Sequence, residues 1–318
     1  MRELHVKTPL IKSDYFSSFL EHNVYLKMES SQVSGSFKIR GIGNLSAKCV
    51  ENGCKSLIGC SGGNAGIAVA HAAKLLNVSA TVFVPETTSQ RSIALMKSQG
   101  SQVIVKGANY NKALEEAIQE SKKPGNALID AYDHPDIWEG HSTIISEIQE
   151  QLNEKPSIVI VPVGGGGLLL GILQGLENAG WTDVPVLAME TLGAHCFNMS
   201  VKAGKVIPLE NITSIAKTLG ARTVPQQLID SLAKFKIISE VVTDAQAVSS
   251  CLHFAANENT VVEPSCGAAL ASVYCKVLQT LIKDERVHLT DGPAIVIVSG
   301  GSGVTLNMLQ TWANEMNV

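Results

Sequence analysis

The sequence predicts an α/β fold of two open domains whose sheets are mainly parallel. Three observations carry that prediction. Apolar runs of strand length alternate with helical patterns; several of these runs end directly in a glycine-rich turn; and no repeat, low-complexity tract or long linker breaks the alternation. Taken in order, a helix opens after the turn Ser61-Gly62-Gly63-Asn64 and covers the alanine-rich stretch 65–76. Ala80-Thr81-Val82-Phe83-Val84 reads as a buried strand closed by Pro85. A helix through 93–96 stops at Gly100; 102–105 is the next strand, 109–121 an amphipathic helix and 127–130 a strand. Residues 34–135 thereby make a small α/β domain of ordinary size, set against a larger one formed by 1–33 and 136–318. In the larger part, Ser157-Ile158-Val159-Ile160-Val161 feeds a turn of four glycines and a helix to about residue 178. A strand over 184–189 and one long helix over 266–281 come next. Ala294-Ile295-Val296-Ile297-Val298 then feeds Ser299-Gly300-Gly301-Ser302 and a last helix.

Apolar residues make up 45% of the 318 and charged residues 17%, a balance that buries an ordinary core. A net charge of -4 without any Lys/Arg-rich run offers no footprint for nucleic acid. The longest apolar runs have strand length, and residues 1–9 lack the apolar stretch of a signal peptide. The expected compartment is therefore the cytosol, with no membrane partner. The seven cysteines, at 49, 54, 60, 196, 251, 266 and 275, show neither a C-x-x-C pair nor the spacing of a disulfide framework. They read as buried free thiols.

The chemistry-bearing residues fall at the turns. Lys38 lies in Ser34-Gly35-Ser36-Phe37-Lys38-Ile39-Arg40-Gly41. A lysine amine kept neutral by burial forms a Schiff base with a carbonyl and can accept a proton. A glycine-rich turn that opens a helix presents backbone N–H groups to an anion. One lysine with two such turns describes a site for a molecule with an aldehyde at one end and a phosphate at the other, and pyridoxal phosphate is that molecule. Gly164, Gly165, Gly166 and Gly167, followed by Leu168, are the candidate phosphate cradle. The rival is a dinucleotide-binding turn. Four consecutive glycines fit its G-x-G-x-x-G fingerprint poorly, and Glu190, an acidic residue further on, is the one feature that favours it. Ser61, Gly62, Gly63, Asn64 and Ala65 form the second turn, suited to a carboxylate; Asn64 reads either as a ligand group or as a helix cap.

These motifs, together with Trp138-Glu139-Gly140-His141, Ala188-Met189-Glu190-Thr191, Val262-Glu263-Pro264-Ser265-Cys266-Gly267 and Ser299-Gly300-Gly301-Ser302, resemble the serine/threonine dehydratase branch of the fold-type II pyridoxal-phosphate enzymes, in its short catabolic form. The resemblance runs along almost the whole chain. It implies a tryptophan-synthase-β-like architecture with the cofactor in the cleft between two domains. It implies Lys38 as Schiff-base lysine and general base, Phe37 against the pyridine ring, Asn64 at the ring oxygen, 61–65 on the substrate carboxylate and Ser299 at the pyridine nitrogen. A hydroxyl at that nitrogen weakens the ring as an electron sink, which elimination tolerates because the leaving hydroxyl takes the electrons. The resemblance also implies a potassium ion held by Glu190 and the backbone carbonyls of Gly164, Ala194, Leu219 and Ala221. The implied assembly is a homodimer, and the implied substrate an amino acid with a β-hydroxyl. L-serine would give pyruvate, and L-threonine 2-oxobutanoate, each with ammonia. The larger threonine deaminases carry a regulatory domain after the last helix, so feedback by that route is not expected here.

Plainer readings stand beside these. Phe37 reads as core, Arg40 as a structural ion pair, Glu190 as a buried salt bridge, His141 and His195 as structural histidines, and Glu263 as the residue opening a helix before Pro264. Other activities on the same motifs are a serine racemase and a β-replacement synthase. The racemase needs a second base, which that subfamily supplies as the second serine of a Ser-Ser-Gly-Asn turn, where this chain has Gly62. From another class, the chain reads as a catalytically inactive binding protein; intact Lys38, Asn64 and the Gly164 turn argue against that.

Overall fold

The computed structural model describes residues 3–152 and 154–318. In chain order its elements are β1 (Leu10–Lys12), α1 (Asp14–Leu20), β2 (Val24–Met28), α2 (Lys38–Glu51), β3 (Ser56–Cys60), α3 (Asn64–Leu76), β4 (Ser79–Val84), α4 (Gln90–Ser98), β5 (Gln102–Val105), α5 (Tyr110–Ser121), β6 (Asn126–Ile129) and α6 (Pro135–Gln151). Then follow β7 (Ile158–Pro162), α7 (Gly167–Asn178), β8 (Val186–Thr191), α8 (Cys196–Ala203), α9 (Gln226–Asp230), β9 (Ile237–Val242), α10 (Asp244–Glu258), α11 (Pro264–Tyr274), α12 (Val277–Lys283), β10 (Ala294–Val298) and α13 (Leu306–Met316). They sort into two units, one of Met1–Val6 with Gln32–His141, the other of Lys7–Ser31 with Ser142–Val318.

The smaller unit is built on a four-stranded parallel sheet in the order β5-β4-β3-β6. Helix α3 carries alanines at 65, 68, 70, 72 and 73, all buried, and these small side chains let it lie close to the sheet. At Gly59 the approach is closest: a Cβ there would stand 3.2 Å from Val69 Cγ2. Ile39, Ile42, Leu57, Val82 and Met96 fill the core around it.

The larger unit carries a six-stranded sheet in the order β1-β2-β10-β7-β8-β9. Only β1 and β2 pair antiparallel; the others are parallel, with Ile295 of β10 opposite Tyr25 on one side and Val159 on the other. Strands β7 and β10 are continuous apolar runs buried along their whole length, as a parallel sheet covered on both faces requires. A charge is buried here too. Lys27 is fully inaccessible, and its Nζ donates to Glu147 Oε2 at 2.5 Å, to Thr8 O at 2.9 Å and to Gln151 Oε1 at 2.9 Å. Three acceptors around one ammonium offset the desolvation of taking it out of water.

One sequence expectation is overturned. The single helix over 266–281 is two helices, α11 and α12, meeting at 42°. Lys276 breaks them by adopting φ +58, the left-handed region. The break was not legible because the stretch contains neither a proline nor a glycine at that point. The α/β class with mainly parallel sheets is borne out; all seven cysteines are free thiols, but only Cys60, Cys196, Cys251 and Cys266 are buried, while Cys49, Cys54 and Cys275 are partly exposed.

Candidate active site

In the smaller unit the site begins at the N-terminus of α2. Gly35 takes φ +76 and turns the chain into the helix. Phe37 is the N-cap, without a side-chain capping bond, and Lys38 is the first helical residue. Lys38 Nζ donates to Ala131 O at 2.6 Å and lies 5.3 Å from the centre of the Phe37 ring. Both side chains are half-buried. Beside them Ser36 Oγ is buried without a hydrogen-bond partner.

The second turn, 61–64, joins β3 to α3. Its Gly63 N–H donates to Ser61 Oγ at 3.2 Å. Gly63 is the N-cap of α3 and has no side chain to cap with; Asn64 is already the first helical residue, so it is not the cap. That removes the plainer of its two readings. Ala65 follows inside the helix and is buried.

At this half one residue was missed from the sequence, Thr88, and one, His141, was read only as a structural histidine. Thr88, in the loop before α4, stands directly over Gly62: a Cβ on Gly62 would be 2.3 Å from Thr88 Oγ1. That oxygen is itself buried and unpartnered. His141 is fully buried, its two ring nitrogens have no hydrogen-bond partner, and its ring lies 5.0 Å from that of Phe37. Burial first, and then the positive charges of Lys38, Arg40 and His5, hold its imidazole well below the usual range. The motif Trp138-Glu139-Gly140-His141 was a signal for the histidine; its unpaired nitrogens were not.

In the larger unit the four glycines follow β7. Gly166 takes φ +84 and caps α7 with no side-chain bond, so the first N–H groups of the helix meet no capping side chain. The turn has no room for side chains. A Cβ on Gly164 would stand 2.9 Å from Leu219 Cα, and one on Gly166 2.6 Å from Leu228 Cδ2. The contrast with other helices is informative. Ser13, Ser89, Asn109, Thr243 and Thr305 each cap a helix through a side-chain oxygen; among the helices without such a cap, α3 and α7 are the two whose N-cap is a glycine, Gly63 and Gly166. A phosphate and a carboxylate are the groups such bare N-termini accept. The residues present therefore fit pyridoxal phosphate and an amino acid.

Ser299 directly follows β10 and is 5% exposed. Burial pushes the thiol of Cys266 up to about 11, against a lowering by the Gly300 backbone and the Ser299 hydroxyl. Glu263, the N-cap of α11, receives a hydrogen bond from Thr218 Oγ1, whose other partner is Ser265 Oγ. Segment 217–219 thus packs against Gly164 through Leu219 and bonds Glu263 through Thr218.

Glu190 lies on β8, fully buried, and accepts the N–H groups of Phe197 at 3.0 Å and Asn198 at 2.7 Å. Burial pushes its carboxyl up to about 8 against those two hydrogen bonds. Its partners are backbone groups at the start of α8, and among the described residues no ion pair to it is present, so the buried salt bridge is not what is found. Cys196 Sγ lies 3.7 Å from Gly164 O. His195, half-buried, bonds the Gly193 N–H through Nδ1 at 3.0 Å, a structural role.

A model of the pyridoxal-phosphate dependent enzyme family matches residues 1–300. The chain belongs to that family. Among its curated relatives is the protein of Mus musculus named L-serine dehydratase/L-threonine deaminase, 46% identical, with 96% of this chain and 94% of the relative covered. Of the family's solved structures, the L-serine ammonia-lyase of Rhizomucor miehei superposes with a TM-score of 0.92 at 35% identity, covering 99% of each chain. Maize serine racemase superposes with a TM-score of 0.86 at 26% identity, covering 98% of this chain and 93% of that one.

Proposed function

We propose that this chain removes water and ammonia from L-serine, and from L-threonine, to give pyruvate or 2-oxobutanoate, with pyridoxal phosphate carried on Lys38. The observation that carries the reading is Lys38 at the start of α2, in a chain whose helices α3 and α7 both open on glycine caps. The dehydratase and ammonia-lyase names of the relatives support it.

Pyridoxal phosphate, when bound, supplies the electron sink that lets the substrate's Cα–H bond break. Lys38 holds it through Nζ and, once the substrate amine has taken that place, receives the α-proton on the same atom. Gly164, Gly165, Gly166, Gly167 and Leu168 hold the phosphate at the N-terminus of α7, and Ser61 to Ala65 hold the substrate carboxylate at that of α3. Phe37 would cover the pyridine ring and Asn64 would serve its oxygen. Ser299 serves the ring nitrogen. A hydroxyl has one hydrogen to give, and Cys266, kept a neutral thiol by burial, leaves that hydrogen available for the ring.

Potassium is the further ligand of this reading, held by Glu190 and the carbonyls of Gly164, Ala194, Leu219 and Ala221. A fully buried carboxyl at Glu190, on the strand paired with β7, supports it. Potassium chloride should then raise the melting temperature above that in tetramethylammonium chloride of equal strength. Free thiols support the cytosol. A homodimer is the assembly the resemblance implies, and sedimentation tests it.

Borohydride reduction with pyridoxal phosphate, followed by digestion, should label the peptide bearing Lys38, and L-serine should yield pyruvate. A label on another peptide, or no oxo acid from either substrate, sinks the proposal.

A further inference from the structure

Gly62 is not glycine for the sake of its backbone, which lies outside the left-handed region. Its neighbour requires it. A Cβ at position 62 would stand 2.3 Å from Thr88 Oγ1, 2.8 Å from Thr88 Cγ2 and 3.0 Å from Thr88 Cβ. Thr88 is held in place by its N–H, which donates to Pro85 O at 3.0 Å. Its Oγ1 is buried with no partner, an unfavourable arrangement of the kind that persists where a site is shaped for something other than stability. The turn it covers is the one assigned above to the substrate carboxylate.

Elimination and racemisation both begin when a base removes the α-proton. They then part. Racemisation returns one proton to Cα from the other face, with no other bond changed. Elimination breaks the Cβ–O bond, and the hydroxyl leaves with a proton as water. Neither path has a net oxidation. Racemisation therefore needs a second proton donor beside Cα, on the side away from Lys38. The resemblance to the racemase subfamily implies that a hydroxyl at position 62 would be one.

We propose that Thr88 is a specificity-determining residue, which by filling the space over Gly62 keeps a side chain, and with it a second proton donor, out of the turn at 61–64. This rests on the dehydratase reading. The site is then committed to elimination by two positions acting together, and changing Gly62 alone does not convert it.

The test compares the unsubstituted protein with Gly62→Ser, Thr88→Ala and the double variant, all loaded with pyridoxal phosphate. Gly62→Ala, alone and with Thr88→Ala, adds a side chain without a hydroxyl and serves if Gly62→Ser does not fold. Melting temperatures and chiral chromatography of product and residual substrate are the readouts. Each Gly62 variant should melt several degrees lower, and Thr88→Ala should restore most of that loss by removing the two closest contacts. D-serine should form in the Gly62→Ser/Thr88→Ala protein at least about tenfold faster than in Gly62→Ser, a barrier difference of about 1.4 kcal/mol. It should not form in the Gly62→Ala double. Additive melting shifts overturn the proposal, as does D-serine from Gly62→Ser at the rate of the double variant, or a folded double variant that makes none. D-serine from the unsubstituted protein that disappears in Thr88→Ala would make Thr88 itself the donor and overturn it as well. No pyruvate from the unsubstituted protein brings down the dehydratase reading instead, and the commitment to elimination with it.

Discussion

Ser299 tests how the site divides binding from chemistry. Ser299→Ala leaves the glycine cradle and Lys38 in place, so the loss in cofactor affinity should be about 1 kcal/mol, that of one hydrogen bond to a neutral group. Turnover should fall much further, and pyruvate assays beside cofactor titration show the split. Equal values for variant and wild type would make Ser299 a turn residue only. His141 tests burial. Its imidazole is held well below 6.5 in the folded chain, so folding excludes a proton that the unfolded chain binds. That makes its contribution complete above about pH 6.5 and lost as the pH falls below it. His141→Leu removes the titration and two unpaired nitrogens, so urea midpoints should decline less steeply between about pH 7 and about pH 5 than in wild type. A slope equal to wild type would mean that the ring is already protonated when folded. Lys38 and the glycine turns were legible in the sequence because their chemistry is written in adjacent residues. Thr88 was not, nor were the unpartnered nitrogens of His141, which the sequence offered only as a structural histidine, since an unpaired buried atom shows only after distant segments pack.

The helices differ in how their ends are finished, and that difference can be measured. Thr243 closes α10 with a capping box in which Gln246 bonds back to it. Thr243→Ala should cost about 1 kcal/mol of stability in denaturant titrations and leave cofactor affinity alone. Gly166→Ala should do both. It places a side chain in the left-handed region, about 1–2 kcal/mol, against Leu228 Cδ2 at 2.6 Å. It also disturbs the N-terminus of α7, so the cofactor dissociation constant should rise along with the loss of stability. A variant that binds pyridoxal phosphate normally would remove that turn from the phosphate site. At this scale the sequence was easiest to read where a strand ends in glycine, as at β7, and hardest where a helix breaks without one, as at Lys276.

For the molecule as a whole, alternation of strand and helix patterns was enough to reach two parallel α/β sheets, because β7 and β10 are uninterrupted apolar runs. Strand order is another matter. The placement of β10 between β2 and β7 depends on which neighbours bury those runs, and no local pattern carries that. A ligand that binds only the folded state stabilises it by mass action, by about 2.7 kcal/mol at a hundredfold excess over the dissociation constant. Pyridoxal phosphate should therefore raise the melting temperature in a concentration-dependent manner, and Lys38→Ala should blunt the rise without lowering the ligand-free value much. An equal rise in that variant would show that the lysine adds nothing to binding.

The bend at Lys276 has a bearing on the chain before it folds. Helices α11 and α12 together are apolar enough to pass for a membrane span. While the core that covers α11 is still absent, that stretch is an exposed hydrophobic segment on a nascent polypeptide. A continuous helix of twenty residues would match the ~30 Å of a bilayer's hydrocarbon. Cut at Tyr274, the first piece has 11 residues, about 16 Å at 1.5 Å per residue. The lysine that ends it would bring a charge to the middle of any insertion. The lysine at the break therefore places a charge within the stretch whose length and composition pass for a span.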